Sequence, residues 1–191
     1  MKFVSIVLLL VVCFAIFVFA APAAGQKSVV IVYGSRYGST AQTAEWIAEG
    51  MAGKAAVVAA RDAGQLSGYE KIILGSGIYN GMVHADMAAF LEKWEAGVKD
   101  KVVALFVVCG MPPDQAGEYL AMFAEKSRAK PLLTKAFNGW MKKELLSPED
   151  YKGLEEYYKG AGYPFENYDR TDKAKCIEFG QKILAKLGEV K

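Results

Sequence analysis

Residues 34–40 (Gly-Ser-Arg-Tyr-Gly-Ser-Thr) have the composition of a loop that binds phosphate. An apolar run, residues 29–33, precedes them, and residues 41–51 follow with apolar side chains at helical spacing. Such a loop directs several backbone N–H groups at one point, where the dipole of the following helix also favours an anion. The sequence therefore predicts a strand, a phosphate-binding loop and a helix. The alternative is an ordinary turn in which a serine or threonine caps the helix.

The spacing of the loop excludes two common nucleotide-binding motifs. No Gly-Lys-Ser/Thr follows, and Gly34 and Gly38 do not form a Gly-x-Gly pair. The remaining pattern, Ser-x-Tyr-Gly-Ser-Thr, resembles the FMN-phosphate loop of the flavodoxin family, whose usual form is Ser/Thr-x-Thr-Gly-Asn/Ser-Thr. The resemblance implies that the phosphate of FMN is bound by Ser35, Arg36, Tyr37, Gly38, Ser39 and Thr40. Arg36 could neutralise the phosphate or point into solvent, and Tyr37 stands where the family commonly has threonine.

Strand-like and helix-like segments alternate along the rest of the chain. Further strands are predicted at residues 54–60, 71–75, 102–108 and 131–137, and helices at residues 86–95, 115–127 and 172–187. This alternation implies right-handed crossovers and a parallel sheet covered on both faces. We therefore predict an α/β fold: a flavodoxin-like, doubly wound, five-stranded parallel sheet in the order 2-1-3-4-5, with helices on both faces.

The end of the third predicted strand should lie beside the loop, because ligands bind where the strand order reverses. Residues 75–84 read Gly-Ser-Gly-Ile-Tyr-Asn-Gly-Met-Val-His. They are similar to the loop that borders the isoalloxazine ring in menaquinone-dependent protoporphyrinogen IX dehydrogenases and related flavodoxin-domain proteins, although that group often has an arginine between the isoleucine and the tyrosine. The similarity implies ring contacts for Gly77, Ile78, Tyr79, Asn80 and Gly81.

Three side chains of this segment have alternative roles. Tyr79 could stack on a flavin or lie on its edge, or it could be a half-buried loop residue. Asn80 could donate to the ring, which is how proteins tune a flavin, or it could serve only the turn. His84 is the only histidine and has an ordinary pKa of about 6.5, which suits proton delivery to a reduced ring; the alternative is a helix cap or a surface contact.

The end of the fourth predicted strand is the second place where the resemblance implies ring contacts. By position, these involve Cys109, Gly110 and Met111. Cys109 is most simply explained as a buried apolar thiol, because no cationic neighbour in the sequence would activate it. Trp140, after the fifth strand, could form a wall of the flavin or substrate site or pack in the core.

A long polar and aromatic segment, residues 142–172, precedes the last predicted helix. Ser147 and Pro148 mark a helix start within it. The segment is too long for a simple connection. It could be a lid or a partner surface, or it could form a peripheral helix and loop, which we favour.

The first residues form a separate unit. Residues 1–23 combine a basic start, an apolar run and small residues at the end, which predicts a signal peptide or an N-terminal membrane anchor. Residues 24–27 are a short linker and residues 28–191 the flavodoxin-like domain. We therefore expect an exported or membrane-anchored protein.

Charge and cysteine content exclude several other functions. The formal net charge of the 191 residues is only +2, which argues against nucleic acid as a partner, and it departs from the acidic charge typical of small soluble flavodoxins. Cys109 and Cys176 have no spacing that suggests a metal site, and their pairing stays open.

Three functions remain compatible with the sequence. The first is an FMN-dependent oxidoreductase at a membrane, which passes electrons from a donor such as a porphyrinogen to a quinone or a redox partner. The second is a non-enzymatic electron carrier. The third is a flavin-free binding module of the same fold, which the substitution at Tyr37 keeps open.

Overall fold

The computed structural model describes residues 28–94 and 97–189. The predicted leader and linker, residues 1–27, lie outside the described residues. Within the described ranges, no helix combines the length and the apolar character needed to cross a membrane.

The described chain contains eight strands and five α-helices. The strands are β1 (Val29–Gly34), β2 (Ala55–Ala59), β3 (Lys71–Tyr79), β4 (Met82–Val83), β5 (Val102–Cys109), β6 (Leu133–Asn138), β7 (Trp140–Met141) and β8 (Tyr168–Asp169). The helices are α1 (Ser39–Gly50), α2 (Ala85–Lys93), α3 (Gly117–Ser127), α4 (Pro148–Gly160) and α5 (Lys173–Glu189).

The main sheet has the strand order β2-β1-β3-β5-β6, and all of these strands are parallel. Because β4 is a two-residue strand that pairs only with β3, this is the predicted order 2-1-3-4-5, and the predicted fold is confirmed. Two details differ from the prediction. β3 continues to Tyr79 and turns into β4, and the small antiparallel pair β7-β8 lies apart from the main sheet.

Two hydrophobic cores lie on opposite faces of this sheet because successive strand residues point to opposite sides. Val29 and Ile31 belong to the core under α1 and α5, whereas Val30 belongs to the core on the α2 and α3 side. All eight residues of β5 are buried, which explains its continuous apolar sequence.

Helices α1 and α5 approach each other through two glycines. A Cβ atom on Gly180 would lie 2.1 Å from the backbone oxygen of Ile47, and one on Gly50 would lie 2.2 Å from that of Ile177. No larger residue fits at either position without moving a helix. The contact fixes α1, and the loop that precedes it, against α5.

Candidate functional site

The predicted phosphate loop lies at the carboxyl end of β1, where it leads into α1. Gly38 is the N-cap of α1, with a φ of 93° in the left-handed region that favours glycine. Its N–H donates to Ser35 Oγ at 3.1 Å. No side chain of the described residues caps the helix. The alternative of a turn with a serine or threonine cap is therefore wrong. No described side chain compensates the partial positive charge at the start of α1.

Thr40 has the most informative side chain of this loop. It is fully buried, and its Oγ1 has no hydrogen-bond partner among the described residues. A Cβ atom on Gly77 would lie 2.9 Å from this oxygen, so the glycine at the end of β3 allows the close approach of the hydroxyl to the strand. A buried hydroxyl without a partner costs about 1–3 kcal/mol. An oxygen of a bound ligand would remove this cost.

Tyr79 connects the end of β3 to the same loop. Its hydroxyl accepts the backbone N–H of Arg36 at 2.9 Å, and its ring would be 2.7 Å from a Cβ atom on Gly77. Burial raises the pKa of the Tyr79 phenol, while the backbone N–H groups of Arg36 and Tyr37 act in the opposite direction. The phenol oxygen thus uses N–H groups that a phosphate would need. A phosphate that binds these groups must displace it.

Arg36 and Tyr37 turn toward the segment that follows β6. The Arg36 guanidinium forms an ion pair with Asp150 at 2.6 Å, so Arg36 does not point freely into solvent. Trp140 Nε1 donates to the carbonyl oxygen of Tyr37 at 3.0 Å, and its ring would be 3.2 Å from a Cβ atom on Gly38. Residues 140–172 therefore pack against the phosphate loop.

The remaining predicted ring-contact residues of β3 and β4 form a hairpin. Asn80 and Gly81 have φ values of 50° and 76°, the pattern of a two-residue turn with positive φ at both positions. Both are exposed, whereas Ile78 packs partly buried against the core on the α2 and α3 side. The hairpin explains the turn, and the ring contacts of these residues stay predictions.

The loop after β5 lies against residues 140–172, a segment that we call the insertion. Cys109 is buried, and burial raises the pKa of its thiol, as expected of an unreactive cysteine. The carbonyl oxygen of Met111 accepts Asn138 Nδ2 at 2.7 Å, and a Cβ atom on Gly110 would lie 2.8 Å from the hydroxyl of Tyr168. The loop is held in place from two sides, and its contact with a flavin ring stays a prediction.

His84 is the N-cap of α2. Its Nδ1 accepts the backbone N–H of Asp86 at 3.2 Å, and its ring centroid lies 5.5 Å from that of Tyr79. Burial lowers its pKa, and the nearby Asp86 carboxylate opposes this effect. The expected cap is confirmed, and proton delivery stays a prediction.

Stability should depend on pH through His84. Its folded pKa lies below the ordinary value of about 6.5, so between these two values the unfolded chain binds more protons. The free energy of unfolding is therefore expected to fall as the pH decreases through 6.5. Denaturant unfolding at a series of pH values tests this, with His84→Asn as the control, because asparagine caps a helix without titrating in this range. An identical pH dependence in both proteins would contradict the prediction.

Asp150 was not predicted as a site residue. Residues 147–150 (Ser-Pro-Glu-Asp) carry the sequence signature of a helix start, but nothing in the sequence indicates that the aspartate reaches a loop more than a hundred positions earlier. Among the described residues, no group of three or more potential ligands could hold a metal ion.

The sheet order and the loop at its switch point define a class: a doubly wound α/β protein whose predicted phosphate-binding loop lies between β1 and α1. The family model of the flavodoxin domain matches residues 30–164. The chain therefore belongs to the flavodoxin domain family. None of the curated proteins compared matches it.

Solved structures support the same fold. A flavodoxin from the domain Archaea superposes with a TM-score of 0.54 at 21% identity, covering 84% of this chain and 98% of the other. Oxidised flavodoxin 1 from Bacillus cereus gives 0.52 at 20% identity, with coverages of 82% and 97%. Flavodoxin 2 from the same organism gives 0.50 at 23% identity, with coverages of 83% and 99%. At these identities, the similarity establishes the fold.

Family membership implies FMN as the cofactor and electron transfer as the class of activity. The residues of the site fit FMN. The Thr40 hydroxyl, which has no partner among the described residues, and the uncapped start of α1 both suit a phosphate. The hydrogen bond from the Arg36 N–H to the Tyr79 hydroxyl shows that this N–H can bind an oxygen atom.

Proposed function

We propose that the protein binds FMN at the loop between β1 and α1 and is an oxidoreductase that passes electrons between a donor and a quinone or a redox protein. The observation that supports the FMN site is the buried Thr40 hydroxyl, which has no hydrogen-bond partner in the part of the chain that the structure describes. When bound, FMN supplies one- and two-electron transfer. The chain's own residues hold it: the loop N–H groups and Thr40 bind the phosphate, and the loops after β3 and β5 border the ring.

A cavity beside α2 supports an enzyme that binds a small substrate. It has a volume of about 410 Å³, lies between residues 60–66 and α2, and has Phe90 and Trp94 in its wall. Binding pockets for small molecules commonly measure about 300–1,000 Å³. Asp86 also lines the cavity, and its carboxylate is 3.8 Å from His84 Nδ1. The sole histidine therefore lies close both to a residue of the cavity wall, Asp86, and to Tyr79.

The donor and the acceptor follow from the resemblance of residues 75–84 to the menaquinone-dependent protoporphyrinogen IX dehydrogenase group. We propose a porphyrinogen as the donor class and a quinone as the acceptor, with residues 1–23 taking the domain to the membrane. The near-neutral charge supports an enzyme over a soluble carrier, since small flavodoxins are typically acidic.

One observation favours a second candidate, a flavin-free binding module. The Tyr79 hydroxyl already uses the N–H of Arg36, so the loop has an internal ligand in place of a phosphate. The module would bind its partner through this fold without redox chemistry.

The visible absorbance spectrum of the purified protein, before and after addition of FMN, separates these candidates. We expect a stoichiometry of about one bound FMN per chain and an absorbance spectrum that is shifted relative to that of free FMN. The flavin-loaded protein is then mixed with an excess of a porphyrinogen, which supplies the electrons, and an excess of a quinone. Repeated turnover supports the oxidoreductase, whereas a single stoichiometric exchange indicates a carrier. A protein that neither shifts nor quenches FMN would overturn both redox functions.

A further inference from the structure

A single carboxylate joins the insertion, residues 140–172, to the phosphate loop. Asp150 Oδ2 accepts Arg36 Nη1 at 2.6 Å and also accepts the hydroxyl of Tyr37. The side chain of Asp150 is only 20% exposed, so the contact is partly shielded from water. The one cationic side chain of the loop and the hydroxyl at position 37 are therefore both engaged by a residue 113 or 114 positions away.

The local sequence explains why this carboxylate is available to the loop. Ser147 is the N-cap of α4, and its Oγ accepts the N–H of Asp150 at 3.1 Å. In a capping box, the acid at this third position accepts the N–H of the N-cap residue in return. Here the N–H of Ser147 donates to the hydroxyl of Tyr37 at 3.3 Å, and Tyr37 donates to Asp150. Tyr37 completes the cap, which leaves Asp150 able to bind Arg36.

The ion pair changes the charge that a ligand meets at the loop. A phosphate monoester carries about 1.5 to 2 negative charges near neutral pH. Asp150 adds a negative charge beside it and neutralises Arg36, which would otherwise form a charge-assisted hydrogen bond with the phosphate. Tyr37 cannot help either, because its hydroxyl is used by the insertion. Phosphate binding is left to the backbone N–H groups and the small hydroxyls of the loop.

We propose that Asp150 is a specificity-determining residue of this site, which lowers the preference of the loop for FMN over a flavin that lacks the phosphate. The inference rests on the proposed flavin site. The inference concerns only the phosphate of the ligand, because the two side chains that Asp150 binds, Arg36 and Tyr37, belong to the phosphate loop. Riboflavin, which has the same ring and no phosphate, is therefore the matched ligand.

The test measures the Kd of FMN and of riboflavin by flavin fluorescence for the wild type and for Asp150→Asn. Asparagine retains the size and the acceptor for Tyr37 but releases Arg36. We expect FMN to bind about tenfold more tightly, the effect of one additional charge-assisted hydrogen bond, and riboflavin to bind unchanged. Added salt should reduce the gain. Glu149→Gln is the matched control, since it removes the same charge from an exposed neighbour and should change neither Kd.

A second variant tests whether Arg36 causes the gain in FMN affinity. In the Asp150→Asn background, Arg36→Gln should abolish the gain in FMN affinity, whereas in the wild type it should change the affinity little. Thermal unfolding of each variant verifies that it is folded. If FMN binds the wild type and Asp150→Asn equally well, or if both flavins gain affinity together, the inference is overturned while the flavin site stands. If no variant binds either flavin, the proposed function is overturned as well.

Discussion

Replacement of Gly75 by alanine is expected to destabilise the protein by about 3 kcal/mol, at the upper end of the cost of overpacking a core. Gly75 lies in the middle of β3 and pairs with Phe106 of β5. A Cβ atom on Gly75 would lie 2.0 Å from Cζ of the Phe106 ring. The ring has little freedom to move, because it is fully buried and packs edge-to-face on Phe137 with centroids 6.2 Å apart. Denaturant unfolding measures the loss.

A rescue variant shows whether the ring is the cause. Phe106→Leu removes the atoms that the new methyl group would meet, at the cost of a cavity. In this background, Gly75→Ala should cost much less than in the wild type, a coupling that a double-mutant cycle measures directly. Equal costs in both backgrounds would mean that the backbone of β3, and not the Phe106 ring, requires glycine.

Thr40→Val is expected to have opposite effects on stability and on cofactor binding. Without flavin, it removes a buried hydroxyl that has no partner, and we expect the free energy of unfolding to rise by about 1 kcal/mol. With FMN, it removes a donor to the phosphate. A hydrogen bond to a charged group contributes about 1.5–3 kcal/mol, so the Kd should rise roughly 10- to 100-fold. Denaturant unfolding and an FMN titration provide the two measurements.

Thr43→Val is the control for this pair of effects. Thr43 is also buried in α1, but its hydroxyl already donates to the carbonyl oxygen of Ser39 at 3.0 Å. The Thr43→Val substitution should leave FMN affinity unchanged and should not stabilise the protein. If both variants lose FMN affinity alike, the loss reflects damage to α1. A Thr40→Val protein that binds FMN normally would show that this hydroxyl does not face the cofactor.

The sheet could be predicted because its signals are local. A run such as β5, buried on both faces, has no polar position, and the change from strand to helix periodicity around Gly34 marks the first crossover. The order of the strands then follows from the right-handed crossover connections between parallel strands. The hairpin of β3 and β4 was missed although its turn, Asn80-Gly81, is a strong hairpin signal. Because residues 75–84 resemble a flavin-ring loop, they were predicted to contact the ring and not to form a hairpin.

The contacts within the site could not be predicted because they join distant parts of the chain. The sequence identified the loop residues, but it does not show that the Tyr79 hydroxyl reaches the N–H of Arg36 or that Asp150 binds the guanidinium. Both contacts depend on where the end of β3 and the start of α4 lie relative to the loop. Thr40 was predicted as one of six equivalent loop residues, and only burial distinguishes it.

The glycine contact between α1 and α5 affects when the site forms during synthesis. The phosphate loop is among the first parts of the domain to be translated, yet the helix that supports α1 from behind is the last one described. The insertion that holds Arg36 is also translated late. A nascent chain that still lacks these segments therefore contains the loop but not the contacts that hold it in place. We therefore expect cofactor uptake to follow the synthesis of α5 rather than to accompany that of the loop.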